Sequence, residues 1–189
     1  MKKTFLIILF LILSINVFGQ RNFGIGATFD VNFVTGDFSD FLNTGTGFSV
    51  TGEYDFSESY AFFLQGGYGS YSADMKKVGG SGYSFDFSVK SITALGGLRY
   101  YFPVPVFVEL GIGGNYLKLN AEIWDAVNNE TSNESTDYEF FFAFSPSVGY
   151  RLMLAERSSF ELIATYRSAS KEGTTFSAFS VRAGLTVYF

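Results

Sequence analysis

From residue 23 onward, large apolar side chains recur at every second position in eight segments, the period of a β-strand with two unlike faces. Residues 23–33 set Phe23, Ile25, Ala27, Phe29, Val31 and Phe33 against Gly24, Gly26, Thr28, Asp30 and Asn32. Residues 47–56 set Phe48, Val50, Tyr54 and Phe56 against Ser49, Thr51 and Glu53. In residues 60–71, Tyr60, Phe62, Leu64 and Tyr68 oppose Ala61, Phe63, Gln65 and Gly67. Residues 83–102 change phase near Lys90 and Ser91, from Tyr83, Phe85, Phe87 and Val89 to Ile92, Ala94, Leu98, Tyr100 and Phe102, which predicts a β-bulge. Alternation resumes over 106–117, 138–152 and 160–168. The last segment, 179–189, places Phe179, Val181, Ala183, Leu185, Val187 and Phe189 on one face, with Ser180, Arg182, Gly184, Thr186 and Tyr188 on the other.

The connections alternate in length. Tight ones at 57–59, 103–105 and 153–158 interleave with longer ones at 34–46, 72–82, 119–137 and 168–175. This rhythm predicts an all-β fold, an eight-stranded antiparallel up-and-down transmembrane β-barrel with short periplasmic turns and long extracellular loops. An even strand number puts both ends of the barrel on the short-turn side, and closure removes the sheet edges. A soluble lipocalin-like barrel also alternates, so side-chain type must decide which face points inward. The apolar face carries Phe, Tyr, Leu, Ile and Val, whereas the other is rich in Gly, Ser and Thr with a few charges. Small residues between a few large polar ones suit a narrow lumen, and a solvated exterior would carry many Lys and Glu. Tyr54, Phe56, Tyr60, Tyr100, Phe102, Tyr150, Phe160 and Phe189 gather near the short turns, where one aromatic girdle belongs.

The N-terminus reads as a cleavable signal peptide over residues 1–19: Lys2 and Lys3, an apolar run over 5–13, and Val17 and Gly19 before the expected cleavage. That run is short for a membrane-anchoring helix. Residues 20–189 then form one domain, the barrel. With 24 Phe, 12 Tyr and 21 Gly, its composition favours strands and close backbone packing. The absence of Cys excludes a disulfide framework. The net charge of −5 grows more negative when Lys2 and Lys3 leave, so no nucleic-acid partner is expected.

The expected lumen face carries Asp30, Glu53, Arg99, Glu109, Arg151, Glu161, Arg167 and Arg182. Arg99 and Glu109 lie equally far from the turn at 103–105, and Arg151 and Glu161 equally far from Glu156, so each pair should face across a hairpin. Glu53 falls in the same low layer. Asp30 and Arg182 lie at matching heights on the first and last strands, which closure makes neighbours, with Arg167 nearby. Buried charges are tolerated when paired and hydrogen-bonded. The set reads as a structural plug or as a polar conduit for small solutes.

Catalytic chemistry is thinly supplied. Without His or Cys there is no Ser-His-Asp triad, thiol nucleophile or His-containing metal site. The inward acids each have an arginine candidate beside them, and residues 111–114 form no nucleotide loop because no helix follows. No catalytic residue, cofactor or metal is therefore assigned. The acidic loop 119–137 holds Glu122, Asp125, Glu130, Glu134 and Asp137, which reads as a solvated loop or a contact for divalent ions, without the spacing of a calcium loop.

Residues 91–103, Ser-Ile-Thr-Ala-Leu-Gly-Gly-Leu-Arg-Tyr-Tyr-Phe-Pro, followed by 106–114, resemble the fourth and fifth strands of the small outer-membrane β-barrel family. The ending at Leu185, Val187 and Phe189 is similar to the C-terminal signal that the barrel-insertion machinery reads. The resemblance covers residues 20–189 and implies an OmpA/OmpX-type barrel of a Gram-negative outer membrane, without a peptidoglycan-binding domain. It implies lipid, lipopolysaccharide and the insertion machinery as partners, with extracellular ligands at loops 34–46, 72–82, 119–137 and 168–175. Members range from adhesins and anchors to narrow channels. The expected role is a non-enzymatic structural or surface-interaction one. The alternative is a porin-like channel for small or apolar solutes, as in OmpW-type barrels. An enzyme of the lipid-acylating kind is disfavoured by the missing His.

Overall fold

The computed structural model describes residues 23–40, 42–72, 83–125 and 130–189. The signal-peptide segment and most of the loop 72–82 lie outside the described residues. In chain order the elements are β1 (Phe23–Thr35), a 3-10 helix (Gly36–Asp40), β2 (Gly45–Asp55), β3 (Tyr60–Ser72), β4 (Tyr83–Tyr101), β5 (Val106–Asp125), β6 (Glu130–Ser135), β7 (Glu139–Ala155), β8 (Ser158–Lys171) and β9 (Thr174–Tyr188). Each long strand pairs antiparallel with its neighbours, and β1–β9 and β4–β5 pairings close the sheet on itself. The result is an eight-stranded up-and-down barrel, with β6 as an additional short strand on β5.

Alternation builds this barrel directly. Phe29, Phe48, Leu64, Ile112, Phe142 and Leu185 point outward, with Leu64 74% exposed, while Ser49, Thr93, Asn115 and Thr165 on the opposite parity are buried inside. Apolar side chains that wide open on every strand require an apolar surrounding rather than water. At the short-turn end the outer rings touch one another: Tyr60 and Tyr100 at 4.9 Å between ring centres, Tyr100 and Phe102 at 4.9 Å, and Phe56 and Phe62 at 4.6 Å. Both ends of the barrel meet there, where the Phe189 amide donates to the Phe23 carbonyl at 2.9 Å.

Three local expectations are corrected. Strand β4 has no bulge near Lys90: its register runs unbroken from Tyr60↔Tyr100 to Ser72↔Ser88, and from Tyr101↔Phe107 to Tyr83↔Asp125. Val89 points inward like Ser91 and is 3% exposed. What changes at that height is the lumen, which passes from polar to apolar. The loop expected at 119–137 is largely strand, because β5 continues to Asp125 and β6 returns along it. β6 and β7 lie on the same edge of β5 (Asn120↔Ser135, then Leu117↔Glu139), joined by an irregular step at which the Thr136 amide donates to the Leu119 carbonyl at 2.9 Å. The loop expected at 168–175 shrinks to a two-residue turn at Glu172 and Gly173, both with positive φ (47° and 87°), a geometry whose twist matches the flanking strands.

Candidate functional site: the barrel lumen

Near the short-turn end, inward positions of six strands carry a closed charge network. Arg99 on β4 is 3% exposed and meets three carboxylates: Glu53 on β2 at 2.5 Å, Glu109 on β5 at 2.8 Å and Glu161 on β8 at 3.3 Å. Arg151 on β7 binds Glu53 at 2.9 Å and Glu161 at 2.7 Å. Arg182 on β9 reaches across to Glu109 and donates through Nε to Thr165 Oγ1 at 3.1 Å. Three guanidinium groups thus face three glutamates, and these six side chains together carry no net charge. Such a layer persists in a low-dielectric interior because each charge is paired and hydrogen-bonded more than once.

Aromatic rings complete this layer. The Tyr101 hydroxyl donates to Glu53 Oε1 at 2.5 Å and accepts from Arg151. The guanidinium of Arg99 lies 4.2 Å from the Phe107 ring centre, and that of Arg151 lies 4.3 Å from the Tyr101 ring centre. Gly149 leaves room for the Phe107 ring, which a Cβ at that position would strike. Among these groups remains a cavity of about 10 Å³, bordered by Thr28, Glu53, Arg99, Glu161 and Thr186, about the space of one water.

Above the charges the lumen turns apolar. Tyr71, Val89, Leu95, Leu117, Phe141 and Phe176 form a buried cluster across the barrel. The segment after β1 folds back onto it: Leu42 is buried within the cluster, and the Phe38 ring packs edge-on against Phe176 at 5.7 Å. The interior therefore carries two unlike layers, one charged and one apolar.

The expected lumen charges are distributed as follows. Arg99 faces Glu109 and Arg151 faces Glu161 in the register and through their side chains. Asp30 and Arg182 are ladder partners, yet their side chains part. Arg182 turns to Glu109, while Asp30 accepts from Thr28 at 2.8 Å and from Ser49 at 3.1 Å. The ion pair expected between them is replaced because the long arginine side chain spans the lumen. Arg167 is 7% exposed, donates to Thr93 Oγ1 at 3.3 Å, and has no ion-pair partner among the described residues. Leu185, Val187 and Phe189 lie on the outer face. Tyr101, Phe107 and the apolar cluster stand outside the set expected from charge alone. Their signal was parity: Tyr101 shares a face with Arg99, and Phe107 with Glu109.

A closed antiparallel barrel with an apolar exterior and a charged interior pairs its strands without leaving an edge, so it is a membrane-spanning β-barrel. The chain belongs to the outer membrane protein beta-barrel domain family, whose model matches residues 5–189. It resides in the bacterial outer membrane. Among solved structures it is similar to Ail, the attachment invasion locus protein of Yersinia pestis, solved with the heparin analogue sucrose octasulfate: 12% identity, 87% of this chain and 97% of that one, TM-score 0.57. It is also similar to Neisserial surface protein A, at 16% identity over 88% of this chain and 97% of that one, with TM-score 0.52. A third is OprG of Pseudomonas aeruginosa, at 14% identity over 89% and 95%, with TM-score 0.50. At these identities the similarity speaks for the fold. No curated protein matches the chain.

Proposed function

We propose that this barrel is a non-enzymatic, plugged outer-membrane protein whose extracellular segments engage partners at the cell surface. The observation that carries the reading is what lines the lumen: a network of three arginines and three glutamates beneath an apolar cluster that includes Leu42 and against which Phe38 packs. A conducting pore needs a continuous wet path, and the space left at the charged layer, about 10 Å³, holds roughly one water. With the interior filled, the surfaces left for recognition are the extracellular ones at 34–46, 72–82, 119–137 and 168–175. Ail, whose fold is similar, is named for attachment and was solved with a heparin analogue, which favours a surface-binding role here. The eight inward charges act as structural lumen charges in this reading. Residues 1–19 direct export, and Leu185, Val187 and Phe189 are read by the insertion machinery.

The competing reading is a narrow channel. Planar-bilayer recording of the refolded protein separates the two. The plugged barrel gives a quiet trace at applied voltages that open channel proteins. Stable conductance steps abolished by substitution of Arg99 or Glu53 would replace this reading with the channel.

A further inference from the structure

The outer wall carries one electrostatic anomaly. From the aromatic girdle at the short turns up to the height of Lys90, the outward positions of the described strands hold no charge except Lys90 on β4 and Lys118 on β5. The register sets these two directly opposite each other. Directly opposed residues have Cβ atoms about 5 Å apart, and like charges in that relation destabilise a sheet. No carboxylate among the described residues forms an ion pair with either lysine. Lys118 Nζ lies 5.8 Å from the Tyr138 ring centre, which steadies one ammonium but neutralises neither.

Their height gives the pair a meaning. Tyr100, in the periplasmic girdle, follows Lys90 by ten positions along β4. At about 3.4 Å per residue and a tilt near 40°, that is roughly 26 Å along the barrel axis, the thickness of the apolar band. The lysines therefore stand at the outer boundary of the hydrocarbon, where lipid headgroups begin. The ladder row below them, Tyr68, Ile92 and Tyr116, is apolar and outward, a bed for acyl chains. The neighbouring rung is Ser70, a hydroxyl beside Lys90. We propose that Lys90 and Lys118 form a binding site for the phosphorylated headgroup of an outer-leaflet lipid, with the phosphate between the two ammonium groups and the acyl chains on the Tyr68–Ile92–Tyr116 row. The phosphate relieves the repulsion that the fold builds in, and the adjoining apolar row selects an acylated phosphate over a free one. The site depends on the barrel's place in the membrane and not on what the extracellular segments bind.

The test titrates the refolded protein, in a zwitterionic detergent, with bis-phosphorylated lipid A and with the same lipid after dephosphorylation, and reads retained lipid by native mass spectrometry. Wild type retains the phosphorylated form at least about tenfold more tightly, the scale of one charge-assisted hydrogen bond or more. Lys90→Gln/Lys118→Gln loses that preference, and Lys90→Arg/Lys118→Arg keeps it. Neither pair disturbs folding, because both side chains lie outside the lumen; heat-modifiable migration on a gel verifies this for each variant. Millimolar inorganic phosphate leaves the lipid bound. Retention of the preference by the Gln pair overturns the site, and displacement by free phosphate at that concentration overturns its assignment to a lipid.

Discussion

Glu109 is the residue on which the lumen network turns. It binds Arg99 at 2.8 Å and is the carboxylate of Arg182, which meets no second one among the described residues. Removing one partner of a buried pair leaves the other charge uncompensated, at a cost of about 3–5 kcal/mol. Glu109→Ala should therefore lower the urea midpoint strongly. In the double variant Glu109→Ala/Arg182→Ala, the loss should fall short of the sum of the two single losses by more than about 1 kcal/mol. Additive losses would show that the two side chains fold independently. Arg99 is a poorer partner for such a cycle, since its loss also strips Glu53 and Glu161 of a cation. The pairing of Arg99 with Glu109 could be read from their equal distance to a turn, because a hairpin sets its own register. The reach of Arg182 could not. Ladder position places Cα atoms, whereas a guanidinium lies several ångströms beyond and selects its carboxylate in three dimensions. Tyr101 escaped for a related reason: a search for charges passes over a neutral hydroxyl that bridges them.

Among the elements, strand identity and order followed from the period of two, and their ends did not. The expected bulge in β4 came from reading apolar as outward throughout, whereas the upper lumen is itself apolar and reverses that rule at Val89. Polar composition similarly made 119–137 and 168–175 look like loops, although strands that rise beyond the bilayer have no need of an apolar face. The β8–β9 turn shows the point most sharply. Ser168, Ser170, Thr174 and Thr175 all belong to the ladder, leaving Glu172 and Gly173 to reverse the chain at φ 47° and 87°. A residue with a Cβ is strained in that region, and Asn bears it better than Glu. Glu172→Asn should raise the unfolding free energy measured by urea titration by a few tenths of a kcal/mol, about the scale of a relieved turn strain, while Gly173→Val should lower it by roughly 1–2 kcal/mol. Equal midpoints for the two variants would refute the turn geometry.

Closure governs the behaviour of the whole molecule. Every long strand has two neighbours, so no part of the barrel can detach without exposing unpaired backbone to lipid, where each unsatisfied group costs several kcal/mol. Unfolding is then cooperative across the barrel, and damage to the closing strands spreads through all of it. Ala183 on β9 is a suitable probe, paired with Phe29 of β1 on one side and Leu162 of β8 on the other. Proline there removes a backbone donor in a strand with no edge. β7 already contains Pro146, and its ladder to β8 skips from Phe144↔Ser168 to Ser147↔Thr165, so one interruption is accommodated where the native packing has formed around it. A second, at the seam between first and last strands, has no such accommodation. Ala183→Pro should abolish the fast-migrating band of the unboiled protein on a denaturing gel. Asp137→Pro, in the exposed connection between β6 and β7, should leave that band intact, because the residue lies outside the spanning strands. If Ala183→Pro kept the compact band and the wild-type urea midpoint, the β1–β9 seam would not be what holds the barrel closed.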